Sequence, residues 1–149
     1  MRVVVISGYF NPIHVGHLDY IENAAALGDH LVVIVNSDTQ VTVKGSTKFM
    51  DQEARKRIVQ SIKGVDETVI SIDENGSVVD TLEKIYLGYS NQEPHFESMV
   101  FANGGDRKEG SVPEVELCER LGIDTIYGIG GEKVESSSNL LFISKIRGV

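Results

Sequence analysis

Five short runs of β-branched and apolar residues, separated by stretches with helical spacing, constrain the fold of this chain most. We predict strands at residues 2–7, 31–36, 67–72, 98–102 and 124–127. Each run is continuously apolar rather than alternating, which is typical of strands covered on both faces. This succession predicts an α/β fold: a Rossmann-like, doubly wound, parallel five-stranded sheet in a three-layer α/β/α arrangement.

The stretches between the strands predict five helices. Three of them cover residues 16–27, 51–63 and 78–87, a fourth begins at Pro113, and a fifth follows residues 136–138 and runs to Arg147. Asp51 precedes the second helix as an N-cap, and Gly28 follows the first as a C-cap. We interpret residues 1–149 as a single domain, with a turn at residues 73–76 and a surface connection at residues 89–96.

Composition and charge exclude several classes of function. No apolar run approaches the ~20 residues that a membrane span needs. The formal net charge of −8 argues against non-specific nucleic-acid binding, which requires many cations. The single cysteine, Cys118, cannot form an internal disulfide, and the N-terminus does not have the pattern of a signal peptide. We therefore expect a cytoplasmic protein with neither membrane nor nucleic-acid partners.

In a doubly wound sheet, ligands bind beyond the carboxyl ends of the strands. The segments that leave these ends are residues 8–17, 37–50, 103–112 and 128–138. Five of the 14 basic residues lie between positions 44 and 57, namely Lys44, Lys48, Arg55, Lys56 and Arg57. Such a concentration suits a small polyanionic ligand, and a solvated charged surface is the alternative interpretation.

The first of these segments reads Gly-Tyr-Phe-Asn-Pro-Ile-His-Val-Gly-His and occupies residues 8–17. A glycine at a strand exit lets the backbone approach a phosphate, and a helix start offers free N–H groups. His14 and His17 are three residues apart, so they can point the same way. The positive field of a helix start opposes protonation, so both imidazoles could be neutral N–H donors to phosphate oxygens. Phosphoryl and nucleotidyl transfer need such donors.

Two other interpretations compete for the histidine pair. A histidine taken alone is most often a structural residue, and a pair can belong to a zinc site. Zinc requires three or four ligands, however, and no Cys/His cluster accompanies His14 and His17. The combination of both histidines, the glycines and the strand-to-helix position favours a phosphate site.

The string G-x-F-x-P-x-H-x-G-H resembles the signature of the cytidylyltransferase-like nucleotidyltransferases. Members include glycerol-3-phosphate and ethanolamine-phosphate cytidylyltransferases, and heptose-phosphate, phosphopantetheine and nicotinamide-mononucleotide adenylyltransferases. The similarity continues through residues 27–38, 44–45, 55–58, 65–67, 103–106 and 136–138. The Asn-x-Asp, Lys-Gly and Gly-Gly-Asp strings are most similar to the glycerol-phosphate and heptose-phosphate branch.

The resemblance implies roles for individual residues. His14 and His17 would stabilise the transferring α-phosphate, and Lys44, or else Lys48, would neutralise phosphate oxygens. Arg55 is the fourth predicted catalytic residue, because it shares the inward helical face of Ile58, Val59 and Ile62. The predicted nucleotide-binding residues are Gly8, Tyr9, Phe10, Asn11, Gly16, Gly104, Gly105, Asp106, Ser136, Ser137 and Ser138. The glycine-aspartate loop would lie beside the base, ribose and acceptor, and the serines would hold the β- and γ-phosphates.

The chain departs from the family pattern at three places. Asn11 stands where many relatives have aspartate, which weakens the case for a metal contact there, and we predict no protein metal ligand. Residues 131–135 replace an Arg-Thr-x-Gly-Ile string and remove an expected arginine, which weakens the case for cytosine specificity. Arg107 and Lys108 add positive charge beside the glycine-aspartate loop.

The resulting expectation is a nucleotidyltransferase that works with Mg²⁺ on the triphosphate. It would transfer CMP or AMP from CTP or ATP to a polyol or sugar phosphate, such as glycerol-3-phosphate, and release pyrophosphate. One alternative is an adenylyltransferase for nicotinamide mononucleotide or phosphopantetheine. Another is a non-catalytic nucleotide-binding domain. By analogy with relatives we expect a homodimer.

Overall fold

In the computed structural model, which describes residues 1–104 and 113–129, five strands form one sheet. The elements are β1 (Arg2–Gly8), α1 (Val15–Ala25), β2 (His30–Val35), α2 (Asp38–Lys44), α3 (Gln52–Gln60), β3 (Glu67–Ile70), α4 (Val79–Gln92), β4 (Ser98–Gly104), α5 (Val115–Leu121) and β5 (Asp124–Ile129). All neighbouring strands are parallel, in the order β3–β2–β1–β4–β5. The predicted doubly wound sheet is confirmed.

The central strand β1 explains the long valine run near the N-terminus. It pairs with β2 from Val3 opposite His30 to Gly8 opposite Val35, and with β4 on its other side. Val3 to Ile6 have no exposed surface. Because the strand is flanked on both edges and covered on both faces, every one of these positions is apolar.

Alternate side chains of the sheet belong to two separate cores. Val4 and Ile6 pack in one cluster with residues of α1 and α3, including Ile21 and Val59. The other face of β1 packs against α4 and α5 in a second cluster. The sheet therefore has a helical layer on each side, which confirms the three-layer arrangement.

The strand order reverses between β1 and β4, so the crevice at their carboxyl ends is the topological switch point of the fold. Gly8 ends β1 there, and Gly104 ends β4. The loop that follows the first of these two strands leads to His14, the N-cap of α1, and to His17 in the first turn of that helix. The fold thus places the predicted ligand segments at the edge where such sheets bind ligands.

The sequence analysis missed helix α2, because residues 37–50 were interpreted as a connection. Ser37 caps this helix, and the Gln40 side chain returns to the backbone of Ser37, which makes a capping box. Gly45 ends the helix with a left-handed φ of 80°. The pattern Ser-x-x-Gln followed by glycine was a readable signal for a short helix.

Other boundaries differ from the predictions. Helix α1 ends at Ala25, and its C-cap is Ala26 rather than the predicted Gly28. Helix α4 continues to Gln92, so the first part of the predicted surface connection is helical. A Cβ on Gly28 would lie 2.8 Å from the Arg2 carbonyl oxygen, so this glycine is needed for close packing on β1. Ile58, predicted on the inward face of α3, is 38% exposed.

The predicted last helix lies outside the described residues. Among the residues that are described, no helix is long and apolar enough to cross a membrane. The interpretation of residues 1–149 as one domain stays a prediction.

Candidate active site

Phe10 organises the loop between β1 and α1. Its backbone adopts a φ of 50°, and its side chain is only 1% exposed. A Cβ on Gly8 would lie 2.7 Å from the Phe10 ring. The sequence analysis predicted that Gly8 makes room for a phosphate, whereas the space beside it is filled by Phe10. Since the Phe10 ring is buried, its predicted contact with a nucleotide is limited to its backbone.

His14 and His17 form a capping box at the start of α1. The Nδ1 atom of His14 accepts the backbone N–H of Gly16 at 3.1 Å, and the Nδ1 atom of His17 accepts the backbone N–H of His14 at 3.0 Å. A ring nitrogen that accepts a hydrogen bond carries no hydrogen, so the neutral rings hold theirs on Nε2. The capping box therefore selects the tautomer that leaves both Nε2–H groups as donors.

The two imidazoles lie close together in different surroundings. Their ring centroids are 3.9 Å apart, with 32° between the ring planes. His14 is exposed, while His17 is half-buried, and the edge of Phe10 contacts its ring at a centroid distance of 5.0 Å. Burial, reinforced by the neighbouring His14, lowers the pKa of His17 to about 4. The sequence analysis predicted a neutral ring from the helix field, and in the structure the causes are burial and the second histidine.

The predicted cations reach the same edge of the sheet from α2. Lys44, the last residue of α2, places its Nζ atom 4.2 Å from the centre of the Tyr9 ring, directly after β1. Lys48 follows in the next loop, with its Nζ atom 3.9 Å from Asp38 Oδ2. Because these ammonium groups remain largely exposed, they are available to an anionic ligand.

Arg55 has no exposed surface and points towards the strand ends, as predicted from its helical face. Its Nη1 atom donates to the carbonyl oxygens of Tyr9 at 2.9 Å and Asn36 at 2.6 Å. Its Nε atom donates to the Met50 carbonyl oxygen at 3.0 Å, and its Nη2 atom to Asp38 Oδ1 at 2.8 Å. The guanidinium group thus ties the ends of β1 and β2 to α2 and α3.

The remaining predicted residues divide into two groups. Gly16 lies in the first turn of α1, and Asn11 contacts the segment before α3 through its side-chain amide. Gly104 ends β4, and no atom of residues 1–104 or 113–129 would lie within 4 Å of a Cβ placed on it. The other group lies outside the described residues and comprises Gly105, Asp106, Arg107, Lys108, Ser136, Ser137 and Ser138.

The sequence analysis assigned no function to two polar residues near the site, one of them buried and the other partly buried. Gln40 has no exposed surface, and its Oε1 atom accepts the Ser37 backbone N–H at 3.0 Å. Its Nε2 atom donates to the Ser77 carbonyl oxygen at 2.8 Å. Asp38 is the second, since it pairs with Arg55. Only the capping-box spacing signalled Gln40, and no local pattern signalled the ion pair.

The arrangement offers donors and cations but no ready-made metal cage. Within residues 1–104 and 113–129, no group of three or more His, Cys, Asp or Glu side chains could hold a metal ion. The site therefore presents two imidazoles, each with Nδ1 occupied by a backbone N–H, and two exposed lysines at the end of the central strand.

Comparison with known proteins assigns the family. The family model described as cytidylyltransferase-like matches residues 5–135. This chain belongs to the cytidylyltransferase-like family. Two curated relatives are also similar to it in sequence.

The curated relatives of this cytidylyltransferase-like chain differ in length. It is 33% identical over 153 residues to the bifunctional protein HldE of Pseudomonas syringae. This alignment covers 99% of the chain and 28% of HldE. It is 38% identical over 102 residues to the FAD synthase of Ferroglobus placidus, which covers 65% of the chain and 63% of the synthase. The chain thus spans little more than a quarter of HldE and about two thirds of the synthase.

Solved structures share the fold of the cytidylyltransferase-like chain. A lipopolysaccharide core biosynthesis protein from Thermoplasma volcanium superimposes with a TM-score of 0.64 at 23% identity, covering 89% of this chain and 99% of that one. A bifunctional NMN adenylyltransferase/ADP ribose pyrophosphatase from Francisella tularensis superimposes with a TM-score of 0.55 at 18% identity. This match covers 97% of this chain and 41% of that one. At these identities the likeness establishes the fold.

Proposed function

We propose that this nucleotidyltransferase transfers AMP or CMP from ATP or CTP to a phosphate oxygen of a small phosphorylated acceptor. The paired imidazoles carry the proposal. Both keep Nδ1 on the backbone and present an Nε2–H donor, and they do so at the switch point of the sheet. Neutral donors at this position suit a phosphorus centre on which negative charge accumulates.

In the proposed reaction, an oxygen of the acceptor phosphate attacks the α-phosphorus in line. The bond from the α-phosphorus to the bridging oxygen of the β-phosphate breaks, and pyrophosphate leaves. The Nε2–H groups of His14 and His17 donate to the non-bridging α-oxygens, and Lys44 neutralises charge on the phosphates. The reaction needs no protein nucleophile, and Cys118 is buried in the core on the α4–α5 side of the sheet.

Arg55 takes a different part in this proposal from the one that its sequence position suggests. Its buried guanidinium group is occupied by carbonyl oxygens and by Asp38. We assign it a positioning role, because these contacts hold the loop after β1 against the lysine-bearing segment. In this proposal Arg55 makes no direct contact with the substrate.

The loop and serine segments complete the proposed substrate site. From the family resemblance, Gly104, Gly105 and Asp106 would lie beside the base, ribose and acceptor. Ser136, Ser137 and Ser138 would hold the β- and γ-phosphates. The position of Gly104 at the carboxyl end of β4, next to β1, supports the first of these assignments.

The described residues at this edge do not fit a protein-held magnesium ion. Imidazoles and ammonium groups are poor ligands for Mg²⁺, and the Asp38 carboxylate is engaged by Arg55 and Lys48. We therefore propose that Mg²⁺ arrives on the triphosphate, where it offsets phosphate charge. The proposed mechanism assigns the ion no protein ligand.

We propose a polyol or sugar phosphate as the acceptor, because the sequence most resembles the glycerol-phosphate and heptose-phosphate branch of the family. The similarity to HldE extends over 99% of the chain. A flavin phosphate is a second candidate, because the chain is 38% identical to an FAD synthase. That relative's product contains an adenylyl group, which favours ATP as donor. A homodimer and a cytoplasmic location stay predictions.

A screen of pyrophosphate release tests this proposal. Four nucleoside triphosphates are crossed with glycerol-3-phosphate, several sugar phosphates, FMN, nicotinamide mononucleotide and phosphopantetheine. We expect release that requires both a triphosphate and an acceptor, together with a product whose mass equals that of the acceptor plus the nucleoside monophosphate minus one water. Release with FMN but with no polyol or sugar phosphate would shift the assignment to the flavin candidate. No release with any pair would contradict the proposed reaction.

A further inference from the structure

The side-chain amide of Asn11 is committed to the segment between α2 and α3. Its Nδ2 atom donates to the Thr47 carbonyl oxygen at 2.7 Å. Its Oδ1 atom accepts the backbone N–H of Phe49 at 2.9 Å and that of Met50 at 3.4 Å. All three contacts agree on one orientation of the amide. An aspartate at this position could accept the two N–H groups but could not donate to Thr47.

These contacts bracket Lys48. The amide holds the backbone on both sides of this residue, at Thr47 and at Phe49. The Lys48 side chain can respond to a ligand, since it is 51% exposed and its ion pair with Asp38 Oδ2 spans 3.9 Å. A long, exposed ion pair of this kind is weak, so a polyphosphate can replace it.

A second, independent clamp orients the same segment. Arg55 donates to the Met50 carbonyl oxygen at 3.0 Å and to the Tyr9 carbonyl oxygen at 2.9 Å. Tyr9 directly follows β1 and lies under Lys44. The loop after β1 therefore holds the segment at residues 47, 49 and 50, while the imidazole pair leaves the same loop three residues beyond Asn11.

We infer that Asn11 is a positioning residue that holds Lys48 beside the phosphate site as a second cation, in addition to Lys44. This inference rests on the proposed function, because Lys48 acts there on the triphosphate or the acceptor phosphate. The amide carries no charge of its own to the substrate. Its effect passes through the backbone of residues 47–50.

A double-mutant cycle between Asn11→Ala and Lys48→Ala tests the inference. We expect each single change to lower turnover about 10- to 100-fold, since misplacing or removing a cation at phosphoryl oxygens has effects of this order. The double variant should be no slower than Lys48→Ala alone within about 2-fold, because Asn11 acts through Lys48. Asn91→Ala and Lys63→Ala, both exposed and remote, are the matched controls and should match the parent.

Backbone amide exchange in the free protein provides a readout without substrate. In Asn11→Ala, the Phe49 and Met50 amides should lose protection, whereas Lys48→Ala should leave them protected. Multiplying, rather than overlapping, losses in the turnover cycle would overturn the inference. Unchanged protection of Phe49 in Asn11→Ala would overturn it as well.

The proposed function and the inferred roles of Asn11 and Lys48 can fail separately. If the parent protein releases no pyrophosphate with any pair, the proposed function fails, and affinity for ATP replaces turnover in the cycle. Equal ATP affinity in the parent and Lys48→Ala would then overturn the role of Lys48. Overlapping losses of ATP affinity would support the clamp even without the proposed reaction.

Discussion

The His17 ring accepts the backbone N–H of His14 through Nδ1 at 3.0 Å, and the two rings lie 3.9 Å apart. The hydrogen bond from the His14 backbone to His17 thus both caps helix α1 and orients the His17 ring. By occupying Nδ1, the backbone keeps the neutral ring's hydrogen on Nε2, the atom available to a ligand. The first turn of α1 therefore both begins the helix and prepares two donors.

Replacing His17 with asparagine should separate these two roles. The Asn Oδ1 atom can accept the same backbone N–H, so the helix cap and the fold should survive. The donor that Nε2 supplies is lost or displaced, and turnover should fall about 100- to 1,000-fold. Steady-state kinetics and a thermal melt measure the two effects, with the exposed His95→Asn as control. Near-parent turnover would remove His17 from the proposed mechanism.

The lowered pKa of His17 predicts a specific pH dependence of stability. Its folded-state pKa of about 4 lies below the ordinary value of 6.5, so the unfolded chain binds the additional proton between these values. The contribution of the neutral His17 ring to the free energy of unfolding is therefore fully present above pH 6.5 and is lost as the pH falls towards 4. Urea denaturation at several pH values should show a steeper loss for the parent than for His17→Asn. Parallel curves would contradict the lowered pKa.

Arg55→Met should destabilise the protein by about 3–5 kcal/mol, because it removes a buried charge and leaves its partners unsatisfied. The carbonyl oxygens of Tyr9 and Asn36 would lose their shared donor, and Asp38 would lose its closest cation. Arg57→Met on the same helix is the control, since Arg57 is exposed and should change stability by less than about 0.5 kcal/mol. Urea denaturation curves measure both. Similar effects of the two changes would contradict the clamp role of Arg55.

Gly8→Ala should cost about 1–3 kcal/mol, because its Cβ would lie 2.7 Å from the Phe10 ring. Trimming the ring in Gly8→Ala/Phe10→Leu should recover part of that loss, so the two changes should be less than additive. Gly88 lies inside α4, and within the described part of the chain no atom would lie within 4 Å of the Cβ that Gly88→Ala adds. Gly88→Ala should stabilise by about 0.5–1 kcal/mol. Additive losses for Gly8 and Phe10 would contradict the proposed contact.

Local sequence patterns were sufficient to predict most of the strands and helices. All five strands lie where their apolar runs predicted, because residues buried on both faces leave a signal that needs no knowledge of the partner strands. Helix α2 has only seven residues, too few for a clear period, so the pattern of Ser37 and Gln40 was the sole signal. The clash that explains Gly28 comes from Arg2 and Val4, far away in sequence, and local reading assigned it to a helix cap instead.

The candidate site shows the same division. The spacing of His14 and His17 predicted that they act together, and the cation-rich stretch predicted lysines near them. The buried environment that lowers the pKa of His17 is created by folding. Folding also creates the contacts of Arg55 with Met50, Tyr9 and Asn36, because these partners come from three separate segments.

From the sequence alone came the sheet, its helical layers and the family of the chain, since these depend on residue type and short spacing. The tertiary structure alone decided which nitrogen of each imidazole carries the hydrogen. It also decided that Gly8 accommodates Phe10, and that Asn11 holds the segment around Lys48. Hydrogen bonds and steric contacts between distant segments exist only after the chain has folded, so no local pattern encodes them.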